Sequence, residues 1–241
     1  MNHLNKIGTA ELKALQENYP GDIKKAEELL EKNYPIQYLI GYVDFYNCQI
    51  NVNENVLIPR FETEYLVEKA IKRLQQLNLK TGIDLCTGSG AIAIALKKNL
   101  NIKIDACDIS PSALELAKEN AQKNNVEINF FKKDILKDSI EEKYDFLISN
   151  PPYVKKGEIT SPETIYEPQI AIYADKSGLK FYQSILNLSK DTLNSHGLII
   201  LEIGATLGEE IKKIALSIYP KANIIIEKDY NNFDRFMFIE T

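Results

Sequence analysis

The chain has 241 residues, 44% of them hydrophobic and 26% charged, enough for one large α/β domain with a small extra piece and too apolar for a disordered tail. Its net charge of −5 argues against a protein whose main partner is a bare phosphate backbone. Three cysteines, odd in number and without a C-x-x-C pair, exclude a disulfide framework, and only His3 and His196 are available for imidazole chemistry, so no metal site is expected.

In chain order, Asp22 is a good N-cap for a helix through IKKAEELLEKN, which must stop before Pro35. A turn at Gln37–Gly41 and then the rough alternation of Phe45–Asn53 predict a short strand or hairpin. Leu66, Val67, Ala70, Ile71, Leu74 and Leu77 recur at helical spacing and give one apolar face. From residue 82 the rhythm becomes strand, turn, helix: GIDLC, then a helix over Ala91–Lys98; KIDACD, then Ser110 and Pro111 opening a helix to Asn120. INFF and YDFLIS are the next strands, Gly178–Leu188 a helix, GLIILEI a strand and Leu207–Ile218 a helix. ANIIIEK and RFMFIE close the chain around a short turn and must be antiparallel. This alternation predicts a doubly wound, mostly parallel sheet with an antiparallel last strand, which resembles the sheet of Rossmann-like methyltransferases. We expect a short helical region over residues 1–36, a linker and β-hairpin over 37–60, and the main domain over 61–241. No segment has the length of a membrane span, no signal-peptide layout opens the chain, and the expectation is a cytoplasmic monomer.

Three places carry chemistry. Asp84-Leu85-Cys86-Thr87-Gly88-Ser89-Gly90 follows the first sheet strand, where glycines let a ligand approach the backbone and the next helix offers free N–H groups. This turn fits nicotinamide dinucleotide or S-adenosylmethionine equally, or a tight turn alone. Asp108 lies 18 residues beyond Gly90, at a spacing suited to accepting both ribose hydroxyls, with Ile109 beside it. Asp134 is placed to receive an adenine amine. Finally, Asn150-Pro151-Pro152-Tyr153 follows the strand ending at Ser149. Two prolines fix the backbone and leave carbonyls outward, and Asn150 adds a side-chain carbonyl. Together they offer rigid acceptors for a planar NH₂ group, able to stabilise positive charge developing on its nitrogen. Tyr153 is a candidate to close over the target or face a sulfonium.

Asn-Pro-Pro-Tyr by itself also suits adenine-N6 nucleic-acid methyltransferases. The preceding Gln37-Tyr38-Leu39-Ile40-Gly41, Phe45 and Leu57-Ile58-Pro59-Arg60-Phe61-Glu62-Thr63-Glu64 resemble the release factor glutamine methyltransferase (HemK-type) family. The likeness continues through Asp84–Gly90, Asp108-Ile109-Ser110, Asn-Pro-Pro-Tyr, Glu167-Pro168 and Leu201-Glu202-Ile203-Gly204. It implies a protein-(glutamine-N5) methyltransferase acting on the Gly-Gly-Gln loop of release factors. S-adenosyl-L-methionine would be the donor and S-adenosyl-L-homocysteine the product, with no stably bound nucleic acid. By that likeness Cys86–Gly90, Asp108 and Ile135 line the cofactor site and Asn150–Tyr153, with Arg60, hold the target. A ribosomal-protein glutamine methyltransferase is the alternative within the protein-directed branch. The chain departs from the family at Cys86, often Gly, at Phe61, often Pro, and at Ile135, often aromatic. The region before Gln37 is shorter than usual for the family, and the segment between Ala171 and Leu179, usually glycine-rich, reads Ile-Tyr-Ala-Asp-Lys-Ser-Gly.

Overall fold

The structure is a computed structural model and describes residues 9–19, 21–158 and 160–241; His3 lies outside them. Its core is a seven-stranded sheet built from β3 (Thr81–Leu85), β4 (Lys103–Asp108), β5 (Asn129–Lys132), β6 (Tyr144–Ser149), β7 (Leu193–Glu202), β8 (Asn223–Lys228) and β9 (Asp234–Glu240). The strand order is β5-β4-β3-β6-β7-β9-β8. Pairings from β5 to β7 are parallel, whereas β9 runs antiparallel to both β7 and β8. The expected reversed strand is thus present, inserted between its own hairpin partner and β7.

Both faces of this sheet are buried because its strands are apolar at successive positions. Phe146 and Ile148 point into one core, shared with α4 (Phe61–Gln76), α5 (Ala91–Asn99) and α6 (Pro111–Lys123). Leu147, between them, points into the other, under α8 (Lys180–Thr192) and α9 (Gly208–Ile218). Central β3 meets this density with a glycine: a Cβ on Gly82 would lie 2.0 Å from the Phe146 ring.

Ahead of the sheet come α1 (Thr9–Asn18), α2 (Ile23–Glu31) and α3 (Ile36–Ile40), then a hairpin of β1 (Tyr42–Phe45) and β2 (Cys48–Asn51). Asp22 caps α2, accepting from the Lys24 amide at 3.0 Å. The expected turn at Gln37–Gly41 is instead a short helix, ended by Gly41 at φ +86°, where a left-handed residue costs glycine nothing. β7 also begins four residues earlier than GLIILEI suggests, with exposed His196 at φ +62° inside it.

The hairpin is held by side chains. Asn120 on α6 accepts from the Asn51 amide (2.7 Å) and donates to the Asn51 carbonyl (3.0 Å). One helical turn on, Asn124 does the same for Gln49, at 3.3 and 2.9 Å. Two amides spaced i, i+4 thereby stand in for a neighbouring strand. Asn120 donates also to the Ser89 carbonyl at 2.9 Å, joining the hairpin to the glycine turn. No helix among the described residues is long and apolar enough to cross a membrane.

Candidate active site

Strand order reverses at β3: β4 and β5 lie on one side of it, β6 and β7 on the other. Open α/β sheets bind ligands at the carboxyl ends of the strands beside such a reversal. A cavity of about 690 Å³ occupies that place. Its walls include Cys86 and Gly88 from the turn after β3, Asp108 and Ile109 from the end of β4, Asp134 and Ile135 after β5, and Asn150 and Pro152 after β6.

The turn after β3 is wound tightly, with Cys86 at φ +60°, Gly88 at +54° and Gly90 at +81°. Gly90 is needed twice over, since a Cβ there would lie 3.1 Å from the Ala117 Cβ and press α5 away from α6. A Cβ on Gly88 would meet nothing within 4 Å, so the cavity is open to the bare backbone at that point. Asp108 organises the turn: its Oδ2 accepts from the Gly88 amide and its Oδ1 from the Ser110 amide, each at 2.9 Å. Burial raises the Asp108 carboxyl, while the Ser110, Gly88 and Ile109 amides hold it down.

Asp84, Thr87, Ser89, Gly90 and Pro151 do not line the cavity. Asp84 lies fully buried beneath the turn, accepting from the Thr87 hydroxyl at 2.6 Å, and burial pushes its carboxyl up to about 7. Its Oδ1 has no hydrogen-bond partner among the described residues. Asp134 accepts from the Leu136 amide at 3.1 Å and pairs with Lys137 at 3.1 Å, which lowers its carboxyl. Lys133, Lys137, Lys156, Lys176 and Lys180 also stand around the cavity, a positive rim on a chain of net negative charge.

Asn150 donates from Nδ2 to Thr63 Oγ1 at 3.1 Å. Thr63, in the first turn of α4, donates to Glu202 Oε2 at 2.7 Å. Tyr153 donates to Glu202 Oε1 at 3.4 Å and lies 3.5 Å from Arg235 Nη1. Tyr153 therefore sits behind Asn150, outside the cavity wall, its hydroxyl pushed up by burial and by Glu202. Arg60 is also apart from this cavity. It pairs with the buried Glu167 and donates to the Ile58 carbonyl at 3.1 Å, beside a second, polar cavity of about 400 Å³. Glu167 further accepts from the Ile58 amide at 3.0 Å, so the two loops are clamped together.

Thr63 was invisible as a site residue because its sequence context is only a helix start. Its partner Glu202 lies 139 positions away, and no local pattern joins them.

These residues suit an adenosyl cofactor. Bare backbone at Gly88 admits close approach, Asp108 retains acceptor capacity, and Ile109, Ile135 and Ala113 give apolar walls.

Residues 63–167 match the family described as the methyltransferase small domain. The chain is 40% identical over 212 residues to the release factor glutamine methyltransferase of Enterococcus faecalis (strain ATCC 700802 / V583), spanning 86% of this chain and 76% of the relative. It is 41% identical over 216 residues to the protein of the same name from Flavobacterium psychrophilum, spanning 86% and 75%. Among solved structures, a methyltransferase from Pyrococcus furiosus superposes with a TM-score of 0.61 at 19% identity, covering 90% of this chain and 98% of that one, a likeness of fold alone.

Proposed function

Because the chain belongs to the release factor glutamine methyltransferase family, we propose that it methylates the side-chain amide nitrogen of the glutamine in the Gly-Gly-Gln loop of a peptide-chain release factor. When bound, S-adenosyl-L-methionine supplies an electrophilic methyl group, which the amide nitrogen takes as the carbon–sulfur bond breaks, the sulfur keeping the electron pair and the nitrogen shedding a proton.

Asp108 would hold the ribose hydroxyls, Cys86 and Gly88 would pass along the cofactor's polar end, and Ile109 and Ile135 would cover the adenine, with Asp134 at its amine. Asn150 and the carbonyl of Pro152 would receive the two N–H bonds of the target amide. An amide nitrogen is a poor nucleophile because its lone pair is delocalised. Fixed acceptors that draw both N–H bonds out of the amide plane localise that pair and stabilise the positive charge that grows on nitrogen. No strong base is needed before transfer, consistent with cavity walls that carry no histidine among the described residues. The observation that carries this reading is the orientation of Asn150, whose amide nitrogen is taken by Thr63 and whose oxygen remains for the target. A cytoplasmic setting fits the three unpaired thiols.

Tritiated methyl transfer tests the proposal. A release factor should be labelled, and the same factor with its Gly-Gly-Gln glutamine replaced should not. Labelling of DNA or ribosomal protein in preference to the release factor would overturn it.

A further inference from the structure

The side-chain amide of Asn150 has two ends of nearly equal size and opposite hydrogen-bonding sense. Which end faces the cavity decides whether the site accepts from the target NH₂ or repels it. That choice is made by neighbours that do not line the cavity. The Thr63 hydroxyl gives its single proton to Glu202 at 2.7 Å, so toward Asn150 its oxygen can only accept. Asn150 must then turn Nδ2 to Thr63, as it does at 3.1 Å, and leave Oδ1 free. We propose that Thr63 and Glu202 are positioning residues that fix Asn150 with its carbonyl oxygen toward the target amide, and that they do so when Glu202 is ionised. The inference rests on the role given to Asn150 above.

Glu202 is well placed to set this direction. It is 1% exposed and meets donors from three elements: Thr63 on α4, Tyr153 after β6 and, through Tyr153, Arg235 on β9. Tyr182 on α8 donates to its main-chain carbonyl at 3.0 Å, while Arg235 is itself paired with Asp229 at 3.1 Å and Glu62 stands nearby with like charge. A protonated Glu202 becomes a donor. Thr63 can then accept from it and aim its own proton at Asn150. The amide would follow by turning its oxygen to Thr63 and its NH₂ to the cavity, donor against donor. Burial pushes the Glu202 carboxyl up to about 7, opposed by Thr63, Arg235 and Tyr153. The change therefore falls within the working range of pH, where the target amide itself does not titrate.

Single-turnover methyl transfer to a saturating release factor, with calorimetric binding of S-adenosylhomocysteine in parallel, tests this. Thr63→Val should lower the transfer rate roughly 10²-fold, the scale of a misaligned reacting group, and leave cofactor affinity unchanged. Thr63→Ser, which restores the hydroxyl, should recover most of the rate. The native rate should fall as pH drops below about 7, and Glu202→Gln should abolish that limb; the pH series is needed because buried Asp84 also lies near 7. Wild-type transfer by Thr63→Val alongside an inactive Asn150→Ala would overturn the positioning role alone, as would an acid limb that survives in Glu202→Gln. Normal transfer by Asn150→Ala would instead remove the reading beneath it.

Discussion

Replacing Asp108 by alanine should weaken cofactor binding by a factor that the local hydrogen bonds allow us to bound. An ionised carboxylate offers about four acceptor sites. The Gly88 and Ser110 amides take one on each oxygen and the Ile109 amide also holds the charge, so acceptor capacity remains for the hydroxyls of a ribose. Hydrogen bonds to a charged group contribute about 1.5–3 kcal/mol each, so two give about 3–6 kcal/mol, and imperfect additivity favours the lower end. That corresponds to roughly a 10²-fold rise in the dissociation constant. The alanine also frees the Gly88 amide, so a simple loss of affinity would not separate direct contact from a loosened turn. Calorimetry with S-adenosylhomocysteine and its 2′-deoxy and 3′-deoxy analogues completes a double-mutant cycle. Each missing hydroxyl should cost affinity in the native protein and almost nothing in Asp108→Ala. Equal losses in both proteins would refute the ribose assignment, whatever the alanine does alone.

Gly82→Ala should destabilise the fold by at least about 1–3 kcal/mol, because its Cβ falls 2.0 Å from Phe146 in the sheet centre; urea unfolding measures it, and Phe146→Leu should return part of the loss. The Arg60–Glu167 clamp should respond unequally: Arg60→Ala leaves a buried carboxylate unpaired and should cost about 3 kcal/mol, whereas Glu167→Gln leaves only a partly exposed guanidinium and should cost about 1 kcal/mol, with equal losses contradicting the burial argument. Because the Glu202 carboxyl is raised from 4.5 to about 7, the stability it brings is complete below pH 4.5 and is lost as pH rises through about 7. Glu202→Gln should accordingly gain stability relative to the native protein at about pH 8 compared with about pH 5, and a pH-independent difference in urea midpoints would disprove it.

The sheet was legible because its strands are short apolar runs set between helical periods, and the antiparallel closing pair followed from the shortness of Asp229–Asn232. Gln37–Gly41 was misjudged as a turn since its terminal glycine is equally the stop of a single helical turn. The two ends of the cavity announced themselves through local motifs, the glycine turn and Asn-Pro-Pro-Tyr, whose chemistry is written into adjacent residues. What joins those motifs is not local. Thr63 reaches Glu202, Asn120 reaches both Asn51 and Ser89, and Arg60 reaches Glu167, each across tens of positions, where neither periodicity nor composition carries a signal. The lysine rim was hidden for a different reason: five residues from three loops and a helix start converge on one opening, while the whole-chain charge averages them away.

The asparagine clasp on α6 has a consequence for how the molecule breathes. An unpaired sheet edge normally exchanges its amide hydrogens readily and recruits stray strands, yet the Gln49 and Asn51 amides are closed by a helix. Their release requires α6 to lift, and lifting it also withdraws the Asn120 donor from the Ser89 carbonyl. Opening of the hairpin and slackening of the glycine turn are therefore one event. Cofactor binding, by steadying that turn, should slow deuterium uptake at Gln49 and Asn51, neither of which lines the cavity.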